Sequence, residues 1–229
     1  VTTDIRLLEL SDFNRSILRK LMIEAPGTYH HSLMVANLSE AAAEEIGANA
    51  LLVKVCSYYH DIGKLNKPEY FIENTPGDFS RHANLSPSMS ALIILAHPKD
   101  GVELAQKHKL PKPILDAIRQ HHGTGRVEYF YRKALAKHAL TENDAQIDFR
   151  YEGPKPQYKE MGILMLADSC EAACRVLEET SPSRIEGLVK EVIQEKIDDG
   201  QLDECSITFS ELATVQRRLV RGLTSAHHS

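Results

Sequence analysis

An all-α fold is what this 229-residue sequence predicts, and three observations predict it. Val, Ile and Thr never build a run of period-two alternation. Ala, Leu, Glu and Lys recur at helical spacing, and residues that stop or cap helices fall between the resulting segments. Composition agrees, since 42% hydrophobic and 26% charged residues with a net charge of -5 exclude collagen-like, mucin-like and wholly disordered chains. The mild acidity argues against duplex DNA or RNA as a partner, because such binders carry a basic face. It leaves room for a small phosphorylated ligand. No apolar run reaches the ~18 to 20 residues that span a bilayer, so the chain as given is expected to be soluble.

In chain order the periodicity places helices at 12–24, 28–46, 50–60, 86–97, 98–108, 111–121, 127–139, 155–178, 183–198 and 210–222. Gly47 suits the left-handed position that ends the second of these, and Gly123 the same position after a histidine pair. Pro98 and Pro111 suit first helical turns. Residues 64–85, with Pro68, Pro76 and Gly77, read as irregular. So do residues 140–157, with Asn143, Asp144, Gly153, Pro154 and Pro156, a surface loop between helical blocks. One domain is expected over 1–229, with a core at 12–178 followed by C-terminal helices at 179–229. Cys56, Cys170, Cys174 and Cys205 form no C-x-x-C pair, and three of them read as small buried hydrophobes in a reducing compartment. There is no signal peptide, and the opening at Val1 without Met reads as a segment of something longer. His227 and His228 read as an added tail and stay outside the chemistry.

The remaining histidines carry the argument. Adjacent helical residues point about 100° apart, so of His30 and His31 it is His31 that faces inward with Met34, Val35, Leu38 and Ala42. Alone it reads as a hydrogen-bonded core residue or a metal ligand. His60-Asp61-Ile62-Gly63-Lys64 closes the apolar helix around 51–59. A carboxylate desolvated there costs several kcal/mol unless paired, and the partner is either a divalent cation or its own turn. His97 closes another apolar helix before Pro98. His121 and His122 close a third, on neighbouring stripes with Ile114, Leu115 and Ile118. Asp168 sits between Leu164 and Ala172 on one stripe, where a lone Asp neutralises, pairs or binds metal. Together these are five His and two Asp on inward faces of five helices. One structural ion needs about four ligands, so seven mixed N and O donors suffice for two ions with positions left for water and substrate.

This constellation resembles the H…HD…D signature of the HD-domain metallohydrolases. Further segments resemble one subfamily, the cytoplasmic HD domain of the seven-transmembrane HD receptors. They are Gly27-Thr28-Tyr29-His30-His31-Ser32-Leu33, Tyr59-His60-Asp61-Ile62-Gly63-Lys64, Leu85-Ser86-Pro87, Ser90-Ala91-Leu92-Ile93-Ile94, His121-His122-Gly123-Thr124 and Met165-Leu166-Ala167-Asp168-Ser169. The resemblance implies an HD helical bundle with a binuclear centre of iron or manganese. His31, His60, Asp61, His97, His121, His122 and Asp168 are then its ligands, with Asp61 bridging. The implied reaction is hydrolysis of cyclic di-AMP to pApA by a metal-bridged hydroxide attacking phosphorus. Asp61 and Lys64 are then the expected catalytic residues, and Lys64, just past the His-Asp pair, Arg175, two helical turns beyond Asp168, and His82 the expected substrate contacts. The plainer readings are a solvated lysine and a structural arginine. The resemblance also implies a membrane-embedded portion before Val1, making this chain the cytoplasmic part of a bacterial inner-membrane protein.

Arg81-His82-Ala83-Asn84 departs from the His-then-Asp pattern of relatives, and the 140–157 loop is long and acidic. Tyr58, Tyr59, Tyr129 and Tyr131 are either core residues or stacking surfaces for purines. The text after His121-His122 lacks the Gly-Tyr-Pro of the cyclic di-GMP enzymes. Cyclic AMP or nucleotidase activity is the enzymatic alternative. A non-catalytic nucleotide sensor is the other, although such a module typically loses ligands and none of the seven is missing. The amphipathic helix carrying Leu212, Val215 and Leu219 offers either a homodimer surface or, more ordinarily, packing on its own domain.

Overall fold

A computed structural model describes residues 3–75, 80–136 and 149–227. Helices follow one another throughout: α1 (Asp4–Leu10), α2 (Ser16–Glu24), α3 (Pro26–Glu45), α4 (Ala50–Tyr59), α5 (Ser80–Ala83), α6 (Pro87–Leu95), α7 (His97–Lys107), α8 (Lys112–Gln120), α9 (Glu128–Ala136), α10 (Lys159–Arg175), α11 (Pro182–Asp198) and α12 (Phe209–His227). Two 3-10 turns, Ile62–Asn66 and Pro68–Tyr70, lie between α4 and α5. Among the described residues the extended structure is a single antiparallel bridge between Arg126 and Arg150. The expected all-α fold is the one observed.

Local chemistry sets the boundaries. Asn49, Ser86 and Ser181 accept hydrogen bonds from Leu52 N, Met89 N and Arg184 N, capping α4, α6 and α11. Pro26, Pro98 and Pro182 occupy first turns, whereas Pro111, expected in one, stands at the N-cap of α8, and Gly47 and Gly123 take the left-handed backbone expected of them. Several boundaries differ from the sequence reading. Helix α5 and the two 3-10 turns form inside or run into the stretch 64–85 read as irregular. Helix α3 begins at Pro26 rather than at 28, α10 ends at Arg175 rather than at 178, and α12 runs to His227 rather than to 222. Helix α1 was not expected, because seven residues with Leu7 and Leu10 as the buried pair are too few to show a period. It forms because tertiary contact holds it, with the buried Tyr59 hydroxyl donating to Leu10 O at 2.6 Å. Helix α2 therefore starts at Ser16 rather than at 12, after an Asp12 side chain has accepted from Asn14 N. Helix α10 starts at Lys159 rather than at 155. Residues 137–139 of the expected ninth helix and 140–148 of the expected loop lie outside the described residues.

The core gathers around α3, α4 and α10, whose residues 161–168 are buried without interruption. Helices α1, α2, α8, α11 and α12 pack around them through Leu10, Leu21, Ile118, Val189 and Val215. Leu212, Val215 and Leu219 are buried, so the apolar face of α12 is consumed by its own chain. A smaller cluster joins α6 and α9 through Ala91, Phe130, Tyr131, Ala134 and Phe149. All four cysteines are buried and unpaired. No helix among the described residues is long and apolar enough to cross a membrane.

Candidate metal centre

The seven residues singled out in the sequence converge. His31 comes from α3, His60 caps α4, and Asp61 follows it. His97 opens α7, His121 caps α8 with His122 beyond it, and Asp168 lies inside α10. His30, by contrast, is exposed. Two glycines bring the elements close enough. A Cβ on Gly63 would lie 1.9 Å from His97 O, and one on Gly101 would lie 2.8 Å from an Ile118 methyl. The turn carrying Asp61 is thereby pressed against the start of α7, and α7 against α8.

Orientation follows from where each ring can place its other nitrogen. His60 and His121 cap the C-termini of α4 and α8, and His97 stands just past the C-cap of α6, where the last carbonyls lack i→i+4 partners. Their Nδ1–H groups donate to Ser57 O at 2.7 Å, Ile94 O at 2.6 Å and Ile118 O at 2.9 Å. That fixes the tautomer and leaves each Nε2 lone pair facing inward. Asp61 divides its oxygens between two sides. Oδ2 lies 3.5 Å from His31 Nε2 and 3.3 Å from His60 Nε2, while Oδ1 lies 3.3 Å from His97 Nε2 and 3.6 Å from His121 Nε2. Asp168 Oδ1 faces His31 Nε2 at 2.9 Å and His60 Nε2 at 3.6 Å, and its Oδ2 faces His122 Nδ1 at 3.6 Å.

These donors fit divalent cations on three grounds. They fall into two groups, His31, His60, Asp61 and Asp168 on one side and Asp61, His97, His121 and His122 on the other, with the donor atoms of each group within 4.8 Å of one another. Asp61 Oδ1 and His60 Nε2 are buried without a hydrogen bond of acceptable geometry, an expensive arrangement without a cation, and Asp61 Oδ2 faces the Lys64 ammonium at 2.7 Å. His97 Nε2 and His121 Nε2 approach to 3.2 Å, although each has its proton committed on Nδ1. Two lone pairs aimed at one point require a positive centre between them. Six of the seven residues are buried, and the His122 side chain, 24% exposed, marks where solvent reaches the centre.

The electrostatics divide in the same way. Burial opposes ionisation of Asp61 and Asp168, yet Lys64 and His60 hold the first, and His31 and His60 the second, well below the usual carboxylate range. Burial likewise opposes a charged His60, but Asp61 and Asp168 raise its pKa to about 10. His122 is held well below the ordinary imidazole range, by burial and then by His121, so it is a neutral donor.

The residues expected to contact substrate all have partners within the chain. Lys64 Nζ is 2.7 Å from both Asp61 Oδ2 and Glu73 Oε1. Arg175 pairs with Glu171 and lies 3.6 Å from Glu73. His82 Nε2–H donates to Tyr70 O at 2.9 Å and its ring packs on Phe130, away from the seven. Tyr58, Tyr59 and Tyr131 are buried in the core and Tyr129 is exposed. Sequence reasoning passed over Glu73, Glu171 and Tyr151. Tyr151 stacks on His122 with ring centroids 4.3 Å apart, pinned there by its N–H donating to Gly125 O. Glu171 had a legible signal, since it is three residues past Asp168 on the same helical face. Glu73 and Tyr151, in irregular segments, had none.

The family model described as HD domain matches residues 28–173. The cyclic-di-AMP phosphodiesterase PgpH of Bacillus subtilis is 49% identical over the whole chain, and that of Listeria monocytogenes is 44% identical over 99% of it. The chain spans about a third of the length of these relatives, 32% and 31% respectively. The crystal structure of the L. monocytogenes PgpH HD domain superposes with a TM-score of 0.88 at 44% identity, covering 94% of this chain and all of that one. The same domain in complex with cyclic-di-AMP gives 0.89.

Proposed function

The chain belongs to the HD-domain family, and from that premise we propose that it is a metal-dependent phosphodiesterase that hydrolyses cyclic di-AMP to pApA. The observation that carries the proposal is Asp61. One carboxylate sends each oxygen to a different group of imidazoles, the arrangement a pair of adjacent ions requires. The similarity to an HD domain that binds cyclic-di-AMP supplies the substrate.

His31, His60, Asp61 and Asp168 would hold one ion, and Asp61, His97, His121 and His122 the other. The resemblance favours iron or manganese, although an imidazole and carboxylate donor set accepts several first-row ions. Two such ions, when bound, supply Lewis-acid stabilisation of charge on phosphoryl oxygens and acidify water. The chain's own residues supply the rest. Three imidazoles arrive with their protons locked on backbone carbonyls, so no reorganisation is needed at the moment of reaction. Burial excludes bulk water from all but the His122 side, where Tyr151 lies over the ring. Lys64 keeps Asp61 ionised and oriented from 2.7 Å, which supports a positioning role for it beside the phosphate contact that its place after the His-Asp pair suggests.

The core shared by α1, α3, α10 and α12 supports reading 1–229 as one domain. The reading also places the chain as the cytoplasmic part of a larger membrane protein, as the family resemblance implies, and its relatives are about three times its length.

The test is turnover of cyclic di-AMP, cyclic di-GMP and cyclic AMP side by side with Mn²⁺, with Asp61→Ala as the blank. Conversion of cyclic di-AMP to pApA that disappears in the variant is the expected result. Turnover confined to another nucleotide refutes the substrate, and full activity of Asp61→Ala refutes the centre.

A further inference from the structure

His31 differs from the other rings that present Nε2 to the centre. His60 and His121 follow the ends of α4 and α8 and His97 follows the end of α6, and their Nδ1 groups use carbonyls in the last turns of those helices. His31 lies in the sixth position of a 20-residue helix, where backbone carbonyls are already taken by the i→i+4 ladder. Its Nδ1 needs an acceptor from outside, and the structure provides one in Glu171, whose Oε2 contacts it directly. We propose that Glu171 is a positioning residue for His31, accepting the Nδ1 proton so that the Nε2 lone pair is left for the metal. Glu171 is itself held by a run of alternating charges that leads back to the centre at Asp61.

The run can be followed atom by atom. Glu171 pairs with Arg175, one helical turn further along α10. Arg175 Nη1 lies 3.6 Å from Glu73 Oε2, Glu73 Oε1 lies 2.7 Å from Lys64 Nζ, and the same Nζ lies 2.7 Å from Asp61 Oδ2. Asp61 Oδ2 lies 3.5 Å from His31 Nε2. Each carboxylate side chain in this run is at most 13% exposed, so each needs its cation. Glu73 is fastened to α3 as well. Thr28 Oγ1 donates to it at 3.0 Å, and a Cβ on Gly27 would sit 1.8 Å from Glu73 O. The neighbourhood of Gly27-Thr28 thus has a physical purpose: it docks the segment that neutralises Lys64 and Arg175.

One alternative is written into the same geometry. Arg175 Nη2 lies 2.8 Å from His31 Nδ1. An arginine donating to a bare Nδ1 would force the proton onto Nε2 and remove His31 from the ligand set. The two arrangements predict opposite results.

The experiment measures Mn²⁺ affinity and stoichiometry by calorimetry and electron paramagnetic resonance, with kcat and KM alongside, for wild type, Glu171→Ala, Glu171→Gln and Arg175→Met. Loss of an outer-sphere partner of a metal-bound histidine typically costs about 10- to 100-fold in metal affinity. Glu171→Ala is expected to show that loss at one of two sites, with kcat falling rather than KM rising. Glu171→Gln is expected to recover most of it, since an amide oxygen still accepts from Nδ1. Arg175→Met frees Glu171 without removing it and is expected to fall between the two, which keeps the test decisive if Glu171→Ala fails to fold. Two sites of wild-type affinity in Glu171→Ala would overturn the proposal. Equal loss in the Ala and Gln variants would also do so, by assigning the effect to charge. The proposal rests on the metal reading of the centre, and wild type binding no Mn²⁺ would sink that reading instead.

Discussion

Replacing Gly63 with Ala tests how the centre is assembled without touching a ligand. The added Cβ would sit 1.9 Å from His97 O and 2.5 Å from Gly101 N, both backbone atoms that cannot swing aside. Reaching an ordinary contact of 3.4 Å requires the start of α7 to retreat by about 1.5 Å in a core already close-packed. His97 opens that helix, and its Nε2 is 3.3 Å from Asp61 Oδ1, so the displacement acts on the donor group that Asp61 shares with His121 and His122. Overpacking of this kind costs ~1 to 3 kcal/mol, a fall of roughly 2 to 12 °C in Tm for a chain of this length. A ligand moved by about 1 Å also costs roughly 100-fold in rate. Thermal unfolding and Mn²⁺ titration read the two effects separately. Gly187→Ala is the matched control: a Cβ there meets nothing within 4 Å, and it lies inside α11, so it should stabilise by ~0.4 to 1 kcal/mol. Wild-type Tm and two wild-type Mn²⁺ sites in Gly63→Ala would refute the close-approach argument.

Two further outcomes follow from the same geometry. Mn²⁺ at 100 times its Kd should stabilise the fold by ~2.7 kcal/mol, raising Tm in a way that a chelator reverses and Asp61→Ala largely abolishes. An unchanged Tm across a Mn²⁺ titration would count against the seven residues as a binding site. Tyr151→Ala should weaken the His97, His121 and His122 group by about 2- to 10-fold, since an aromatic pair contributes ~0.5 to 1.5 kcal/mol beyond its buried area. Tyr151→Phe should not, because the stacked ring is kept, and equal effects from both would show that the hydroxyl is what matters.

What the sequence determined by itself was which seven polar residues turn inward and the helices that carry them. A histidine or aspartate on an apolar stripe, or at the end of an apolar helix, announces its own burial cost, and that cost is local. His31, His60, Asp61, His97, His121, His122 and Asp168 were all legible for this reason, and the structure brings all seven together. What only the tertiary structure decided was which charges answer one another. Lys64 and Arg175 read either as phosphate contacts or as a solvated lysine and a structural arginine, because nothing nearby in sequence announces that Glu73 and Glu171 pair with them. Glu73 meets Thr28 across 45 residues, and Glu171 meets His31 across 140. Helix α1 and Tyr151 belong to the same class. One is too short to show a period and is held by Tyr59, and the other lies in an irregular segment fixed by a single bridge. A desolvation cost is set by a residue's own helix, whereas the partner that relieves it is set by how distant segments pack.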